Sequence, residues 1–529
     1  MYVNSYVPLG ADGIIVRVET DIRRGIPGID ISGLAEGAVR ESRERVRAAF
    51  RNSGYVFPTD RILINLAPAG LRKEGAALDL AIAISVMAAA GLVSVTGNLM
   101  VLGELELSGR LRPVRGVLAA IAAGLDSGIR DFIVPLENAA EAAILKQANF
   151  FPAATLCETV HALRIRAETS QLPENICLDD TCTEDLSECG DFAEVRGQER
   201  YKRTLEIAAA GGHNLFVFGP PGTGKTMLAR RIGSIMAPLL PDEAVEVTRL
   251  YSLAGQLPSL TGGLIRQPPF RSPHHSASAE GVLGGGRFVK PGEISLAHMG
   301  VLFLDEAPEF RITVLQALRE PMEDRVITIS RAEGPAKLPA DFQLVMAANI
   351  CPCGRFGTGK TGIEDLSCFC STQEIRRYWR KIGAALLDRI ELRTMASLAE
   401  IDSNESGFAN NANTESSAVI ALRVLKAVEI QRERFGNNCS KETNSKIRRN
   451  SRMTPSLIER YCPLTERANK ALNLALQKLN LSGRAFHGIL RTARTIADLE
   501  GKDILDAVHV LEAVEHRRLG EDPWDSIVP

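Results

Sequence analysis

One stretch constrains this chain more than any other: Asn214-Leu215-Phe216-Val217-Phe218-Gly219-Pro220-Pro221-Gly222-Thr223-Gly224-Lys225-Thr226. An apolar run reads as a buried strand and breaks into a Gly-rich loop, and residues 227–232 then open a helix. Strand, loop and helix in that order are the context in which G-x-x-x-x-G-K-[ST] binds phosphate. Glycines let backbone N–H groups close around phosphate oxygens, and the helix N-terminus adds favourable dipole charge. Lys225 is placed to reach the β- and γ-phosphates, and Thr226 to offer its hydroxyl to Mg²⁺. ATP and Mg²⁺ are the expected cofactors, bound by Gly219, Pro220, Pro221, Gly222, Thr223, Gly224, Lys225 and Thr226.

Two later strands carry partners for that loop. Gly300-Val301-Leu302-Phe303-Leu304-Asp305-Glu306 is an apolar run ending in two carboxylates. In open α/β sheets that end of a strand faces the ligand. Asp305 is expected to hold Mg²⁺, and Glu306 to orient and polarise the attacking water. A third strand, Phe342 to Ala348, ends at Asn349, a polar residue suited to the γ-phosphate or the water. Arg389 follows the apolar turn Ala385-Leu386-Leu387-Asp388 and suits a neighbour's phosphate. By itself such an arginine is more often a plain surface or salt-bridged one.

The 529 residues should hold about three domains. Residues 1–165 read as a mixed α/β unit, 166–192 as a polar, acidic linker with Cys177, Cys182 and Cys189, and 193–395 as the nucleotide domain. Residues 396–418 form a flexible connection rich in Asn, Ser and Glu, and 419–529 a helical domain. The longest apolar stretch, Leu80 to Val95, contains Ser and Gly and falls short of the ~20 residues of a membrane span, so it reads as a buried helix. No charged, apolar leader is visible, and ten cysteines in a long, core-rich chain suit a reducing cytoplasm better than a disulfide scaffold. A net charge of −2 does not announce a nucleic-acid partner, so a local basic lining would have to serve.

Within 350–371 the chain places Cys351-Pro352-Cys353 and Cys368-Phe369-Cys370. Two pairs in one loop suit a closed S₄ site for Zn²⁺, although C-x-C is a tighter bite than C-x₂-C; reduced or redox-active thiols are the alternative. The same insert holds Gly354-Arg355-Phe356-Gly357-Thr358-Gly359-Lys360-Thr361, a second match to the phosphate-loop letters. Gly362 follows at once instead of a helix, so the anion site is incomplete and the match is rejected. His274 and His275 are adjacent in a Gly/Ser-rich loop and read as loop polarity, since neighbouring His side chains rarely chelate one metal.

These landmarks resemble AAA+ ATPases. Phe270-Arg271-Ser272-Pro273-His274-His275, Pro291-Gly292-Glu293-Ile294-Ser295-Leu296-Ala297-His298 and Leu386-Leu387-Asp388-Arg389 narrow the resemblance to the magnesium-chelatase-like branch. Lys73-Glu74-Gly75-Ala76-Ala77-Leu78-Asp79, Gly103-Glu104-Leu105-Glu106-Leu107-Ser108-Gly109 and Phe132-Ile133-Val134-Pro135-Leu136-Glu137-Asn138 resemble the Lon protease fold. With the cysteine insert, the whole is similar to the YifB/ComM family. That resemblance implies an N-terminal Lon protease-like (ribosomal S5 domain 2-like) α/β domain, a P-loop AAA+ α/β/α core and a C-terminal α-helical lid. Ala77 and the region of Leu118 stand where Lon has its Ser–Lys dyad, which implies a domain without protease chemistry. Asn349 becomes sensor 1, Arg389 an arginine finger acting in trans, and Arg484 sensor 2 above its own nucleotide, with Arg491 the second choice. The family typically has Asn-Pro where this chain has Asn349-Ile350.

The implied function is an ATP-hydrolysing, hexameric DNA helicase that promotes branch migration in recombination and natural transformation. Single-stranded or branched DNA would be gripped by pore loops near 270–290, with Arg271, Arg287 and Lys290, and near 327–337, with Arg331 and Lys337. The rivals are a magnesium-chelatase motor, a protein-remodelling AAA+ machine and a nucleotide-dependent scaffold with little turnover.

Overall fold

The computed structural model describes residues 2–33, 37–70, 73, 76–95, 98–169, 190–257, 263–286, 289–330, 335–355, 368–396, 415–436, 447–479 and 481–518. Arg287, Arg331, the linker cysteines 177, 182 and 189, positions 356–361 of the rejected loop and nearly all of the connection at 396–418 lie outside them.

Alternating apolar residues in Asp12–Arg23 pair antiparallel with Tyr2–Leu9, from Tyr2 opposite Glu19 to Leu9 opposite Asp12. This hairpin anchors a seven-stranded mixed sheet in the order Gly28–Ser32, Arg61–Ala67, Asp12–Arg23, Tyr2–Leu9, Leu99–Val101, Asp131–Pro135, Asn149–Ala153. The apolar helix Asp79–Ala89 is buried from Asp79 to Ala88 against that sheet, which accounts for its lack of a polar face. The helix Ala139–Ala142 is a single turn. The helix Leu156–Thr169 runs past the boundary placed at 165.

The nucleotide domain is built on five parallel strands in the order Phe270–Arg271, Val301–Leu304, Gln343–Ala348, Leu215–Phe218, Leu392–Met395. Side chains alternate between its faces. Leu215, Val217, Phe303 and Val345 share one core with helices of the C-terminal region, whereas Phe216, Phe218, Leu302 and Met346 pack with Trp379 on the other. Those C-terminal helices are Ser417–Gly436, Pro455–Tyr461, Glu466–Leu479, Gly483–Leu499 and Ala507–Arg518. Pro455–Tyr461 is the shortest of them. Among the described residues no helix is long and apolar enough to cross a membrane.

Two polar junctions hold the domains together. On one side, buried Glu141 accepts the Leu118 N–H at 2.7 Å and the Asn138 amide at 3.1 Å, and also the Ser252 hydroxyl from the helix Pro241–Ala254 of the nucleotide domain. The Ala11 N–H donates to the Lys337 carbonyl at 3.0 Å, so the first turn of the chain is bonded to the hairpin Val326–Ile329/Ala336–Pro339. On the other side, His213 bonds Thr495 at 2.8 Å and Gln431 donates to the Ala210 carbonyl at 3.0 Å.

Burial, with Arg491 and Arg452 nearby, drives His213 down to about 3; burial drives His516 down to about 4. Both folded values lie below the ordinary value of about 6.5, so the unfolded chain binds more protons as pH falls through that range. Stability is full above about pH 6.5 and is lost progressively toward the folded values. The melting temperature is expected to fall by roughly 3–6 °C between pH 7.5 and 5.5. Scanning calorimetry of wild type and His213→Gln checks this, the variant showing the smaller drop.

Candidate active site and metal centre

The strand Leu215–Phe218 ends where only glycine fits. A Cβ on Gly219 would stand 2.3 Å from the Ala396 carbonyl oxygen, because the ends of two neighbouring strands converge there. Gly222 and Gly224 both have φ +78°, the left-handed region that L-residues avoid. The loop is closed from inside: Thr223 donates to the Pro220 carbonyl at 2.9 Å, and the Tyr201 hydroxyl donates to the Lys225 carbonyl at 3.1 Å. Lys225 begins the helix Lys225–Arg230 and donates to the carbonyls of Gly219 at 2.8 Å and Pro220 at 2.6 Å. Burial pulls its ammonium down to about 8, against the opposing pull of Asp305 and Glu306.

The parallel sheet brings the ends of three strands to this loop. Thr226 donates to Asp305 at 2.8 Å, so one hydroxyl and one carboxylate oxygen meet where Mg²⁺ would join a triphosphate. The donor set fits that ion: hard oxygens, few in number, with room for phosphate and water. Glu306 has φ +50°, and its N–H returns to Asp305 at 3.0 Å. A non-glycine residue held there stores roughly 1–3 kcal/mol of strain, and the turn leaves the Glu306 side chain 52% exposed. Asn349 follows the strand Gln343–Ala348, and the Gly219 N–H donates to the Ala348 carbonyl at 3.3 Å.

His275 is a neighbour that the sequence did not assign. Its Nδ1 lies 3.9 Å from a Glu306 oxygen, and its ring stacks on His274 at 4.1 Å. The signal was the short strand Phe270–Arg271, which runs parallel to Val301–Leu304 and therefore delivers 272–275 to the carboxylate end of the sheet.

The arginines fall differently. Arg389 pairs with Glu323 at 2.8 Å, and Arg484 reaches the same Glu323 oxygen at 2.7 Å. Arg484 and Ser482 also meet Asp388, at 3.5 and 3.3 Å. Arg389, Arg484, Arg491 and Arg517 line a cavity of about 460 Å³ that no phosphate-loop residue lines. Arg484 is therefore corrected: it stands beside Arg389, not above the nucleotide loop of its own chain. The cause is the helix Gly483–Leu499, whose apolar side is committed to the core, leaving its N-terminus at Asp388 and Glu323. Arg491 is spent on the Met453 carbonyl, at 2.9 and 2.6 Å. Arg271 makes a two-pronged pair with Glu293 at 2.7 and 2.8 Å, so its charge is already met within the chain. Lys290 and Lys337 remain exposed.

Cys351, Cys353, Cys368 and Cys370 come together with their sulfurs within 4.8 Å of one another, a cluster that can hold a metal ion. Cys351 is buried and Cys353 exposed.

A Gly-rich phosphate loop on a parallel sheet, followed by paired carboxylates and a helical lid, defines an AAA+ ATPase. The chain also matches the models for magnesium chelatase subunit ChlI over residues 191–403, for subunit ChlI of Mg-chelatase over 18–138, and for the ChlI C-terminal region over 414–517. It is 40% identical over 519 residues to the competence protein ComM of Haemophilus influenzae, covering 98% of this chain and 97% of the relative. It is likewise 40% identical over 529 residues to YifB of Salmonella typhimurium, with the same coverage. More distantly, DNA replication licensing factor MCM3 of Entamoeba histolytica is 23% identical over 347 residues, 59% of this chain and 52% of that one. The chain belongs to the YifB/ComM family of magnesium-chelatase-like AAA+ ATPases.

Gly219→Ala is expected to destabilise the chain by about 1–3 kcal/mol, through the clash with the Ala396 carbonyl and not through lost chemistry. Chemical denaturation without nucleotide checks this.

Proposed function

We propose that this ATPase is a ring-forming DNA motor, a branch-migrating helicase of recombination and natural transformation that acts in the cytoplasm. The observation that carries the ring is the cavity shared by Arg389 and Arg484, away from the phosphate loop of the same chain. A finger so placed serves a neighbour's nucleotide. Lys225 then holds the β- and γ-phosphates, and Thr226 and Asp305 hold Mg²⁺, which neutralises phosphate charge when bound. Glu306 draws the proton side of the attacking water, Asn349 positions that water or the γ-phosphate, and Arg389 and Arg484 of the next subunit meet the developing charge. His275 lies where it can hold the Glu306 carboxylate until the water arrives. Six subunits are the expected ring.

DNA as substrate is supported by the names of two relatives, a competence protein and a replication licensing factor. The hairpin Val326–Ile329/Ala336–Pro339 is the proposed pore element, with exposed Lys337 facing phosphate. The matched family models favour a second reading, a chelatase-type or protein-remodelling motor without a DNA substrate. For the four thiols we propose zinc. The three separations among Cys351, Cys353 and Cys368, 3.4, 3.6 and 3.7 Å, approach the roughly 3.8 Å edge of a tetrahedron with Zn–S near 2.3 Å, and Cys370 lies within 4.8 Å of them.

Turnover of Glu306→Gln is expected to fall by roughly 100-fold or more with ATP binding kept. Mixing Arg389→Ala with Lys225→Ala should recover activity that neither variant has alone, because mixed rings contain some intact sites. Steady-state ATPase assays with branched DNA, linear DNA and no DNA test the substrate. Rates indifferent to all three, with no binding, would sink the helicase reading and leave the second one.

A further inference from the structure

We infer that the four-cysteine centre is a working part of the ATP site: a metal-closed loop that holds the Asn349 turn against the phosphate loop. This rests on the proposed ATPase roles and on zinc as the ion.

The connections run in both directions from the sulfurs. Cys351 lies two positions past Asn349 and is fully buried, as is Ile350 between them. The Gly354 N–H turns back to the Cys351 carbonyl at 3.0 Å, with φ +73° at Gly354. That turn sets Gly354 against the phosphate loop: a Cβ there would meet the Pro221 ring at 3.5 Å, ordinary van der Waals contact. The metal loop and the phosphate loop are therefore neighbours, separated by about the space of one methyl group.

From Cys370 the chain passes straight into Ser371, whose capping box with Glu374 starts the helix Thr372–Arg380. Trp379 on that helix donates to the Ile350 carbonyl at 3.0 Å, between Asn349 and Cys351. Its indole meets Phe216 and Phe218 of the phosphate-loop strand edge-on, at 5.6 and 5.8 Å. The Asn349 backbone also lies beside the Tyr378 hydroxyl on the same helix, where it opposes the rise that burial imposes on that phenol. The result is a closed circuit through the Asn349 turn, the sulfurs, the capped helix, the phosphate-loop strand and Pro221.

The sulfurs close the insert on itself: Cys353 and Cys368 are separated by 15 positions and meet at 3.6 Å. Four thiolates cannot share that space without a cation to offset their charge. With a metal bound, the circuit is rigid and Asn349 has one position relative to Lys225. Without it, the ends of the insert part, and Asn349 and Pro221 lose a common support. Nucleotide binding depends mainly on the backbone of the loop itself, so the loss should fall on hydrolysis more than on affinity.

The test uses the full chain. Wild type should contain one zinc per chain by plasma mass spectrometry. Zinc is stripped with an organomercurial and chelator, then restored with Zn²⁺ alone; Cys353→Ser/Cys370→Ser, which changes a more accessible pair, is run beside it. Stripping is expected to raise hydrogen exchange over both 343–351 and 215–221. It should also lower ATP turnover by roughly tenfold, with less than about threefold change in affinity for a fluorescent ATP analogue. Zn²⁺ should reverse both effects, and unchanged exchange over 99–135 shows that the chain stays folded. Zinc removed with turnover and exchange in both segments unchanged overturns the inference and leaves zinc standing. A chain that neither holds nor takes up zinc overturns both. Zinc bound to a chain that binds ATP but never hydrolyses it sinks the ATPase roles instead.

Discussion

The parallel pairing of Leu215–Phe218 with Gln343–Ala348 and Leu392–Met395 decides where every reacting group stands. Parallel strands end on the same side, so each chain segment leaving the sheet emerges beside the phosphate loop. Gly219, Asp305 and Asn349 need no special folding of their own to meet; they are the residues that follow three neighbouring strands. The convergence carries a steric cost at one point, the crossing of Gly219 and Ala396, and glycine removes it.

The same geometry explains what could be read from the sequence. The phosphate loop, the carboxylates and Asn349 are legible because each is a strand followed by its own next residues, a local pattern. The lid helices are legible for a similar reason, through their periodicity. Arg484 was misplaced because its partner Glu323 lies 161 positions away, and no local signal says which face of the sheet the lid will cover. Arg271 looked free because Glu293 is reached only after the chain turns back. His275 was passed over because strand order, not spacing, puts it near Glu306. The cysteines lie between: their spacing announced a cluster, and only the fold brings the four sulfurs within 4.8 Å of one another.

The two polar junctions divide the labour of holding the domains. The lid shares an apolar core with the sheet, so its position is fixed by packing and its buried histidines report on that packing. The N-terminal domain meets the core through hydrogen bonds of Glu141 with Ser252 and Ala11 with Lys337, and through Leu253, which packs with Val117 and Ala120. Burial raises the Glu141 carboxyl above its usual range, although hydrogen bonds from Ser252, Leu118, Asn138 and Val117 oppose that rise. The Glu141 contact within this junction is polar and satisfied, the kind that specifies orientation more than it adds stability.

Lys225 has a further consequence. Its ammonium, pulled down to about 8, rests on two backbone carbonyls. A triphosphate brought to the same nitrogen stabilises the charged form and moves that value back up. In mildly alkaline solution the incoming nucleotide therefore draws a proton from solvent as it binds. Affinity and acidity are coupled through a single nitrogen, and the loop becomes a poorer anion trap as the medium grows more basic.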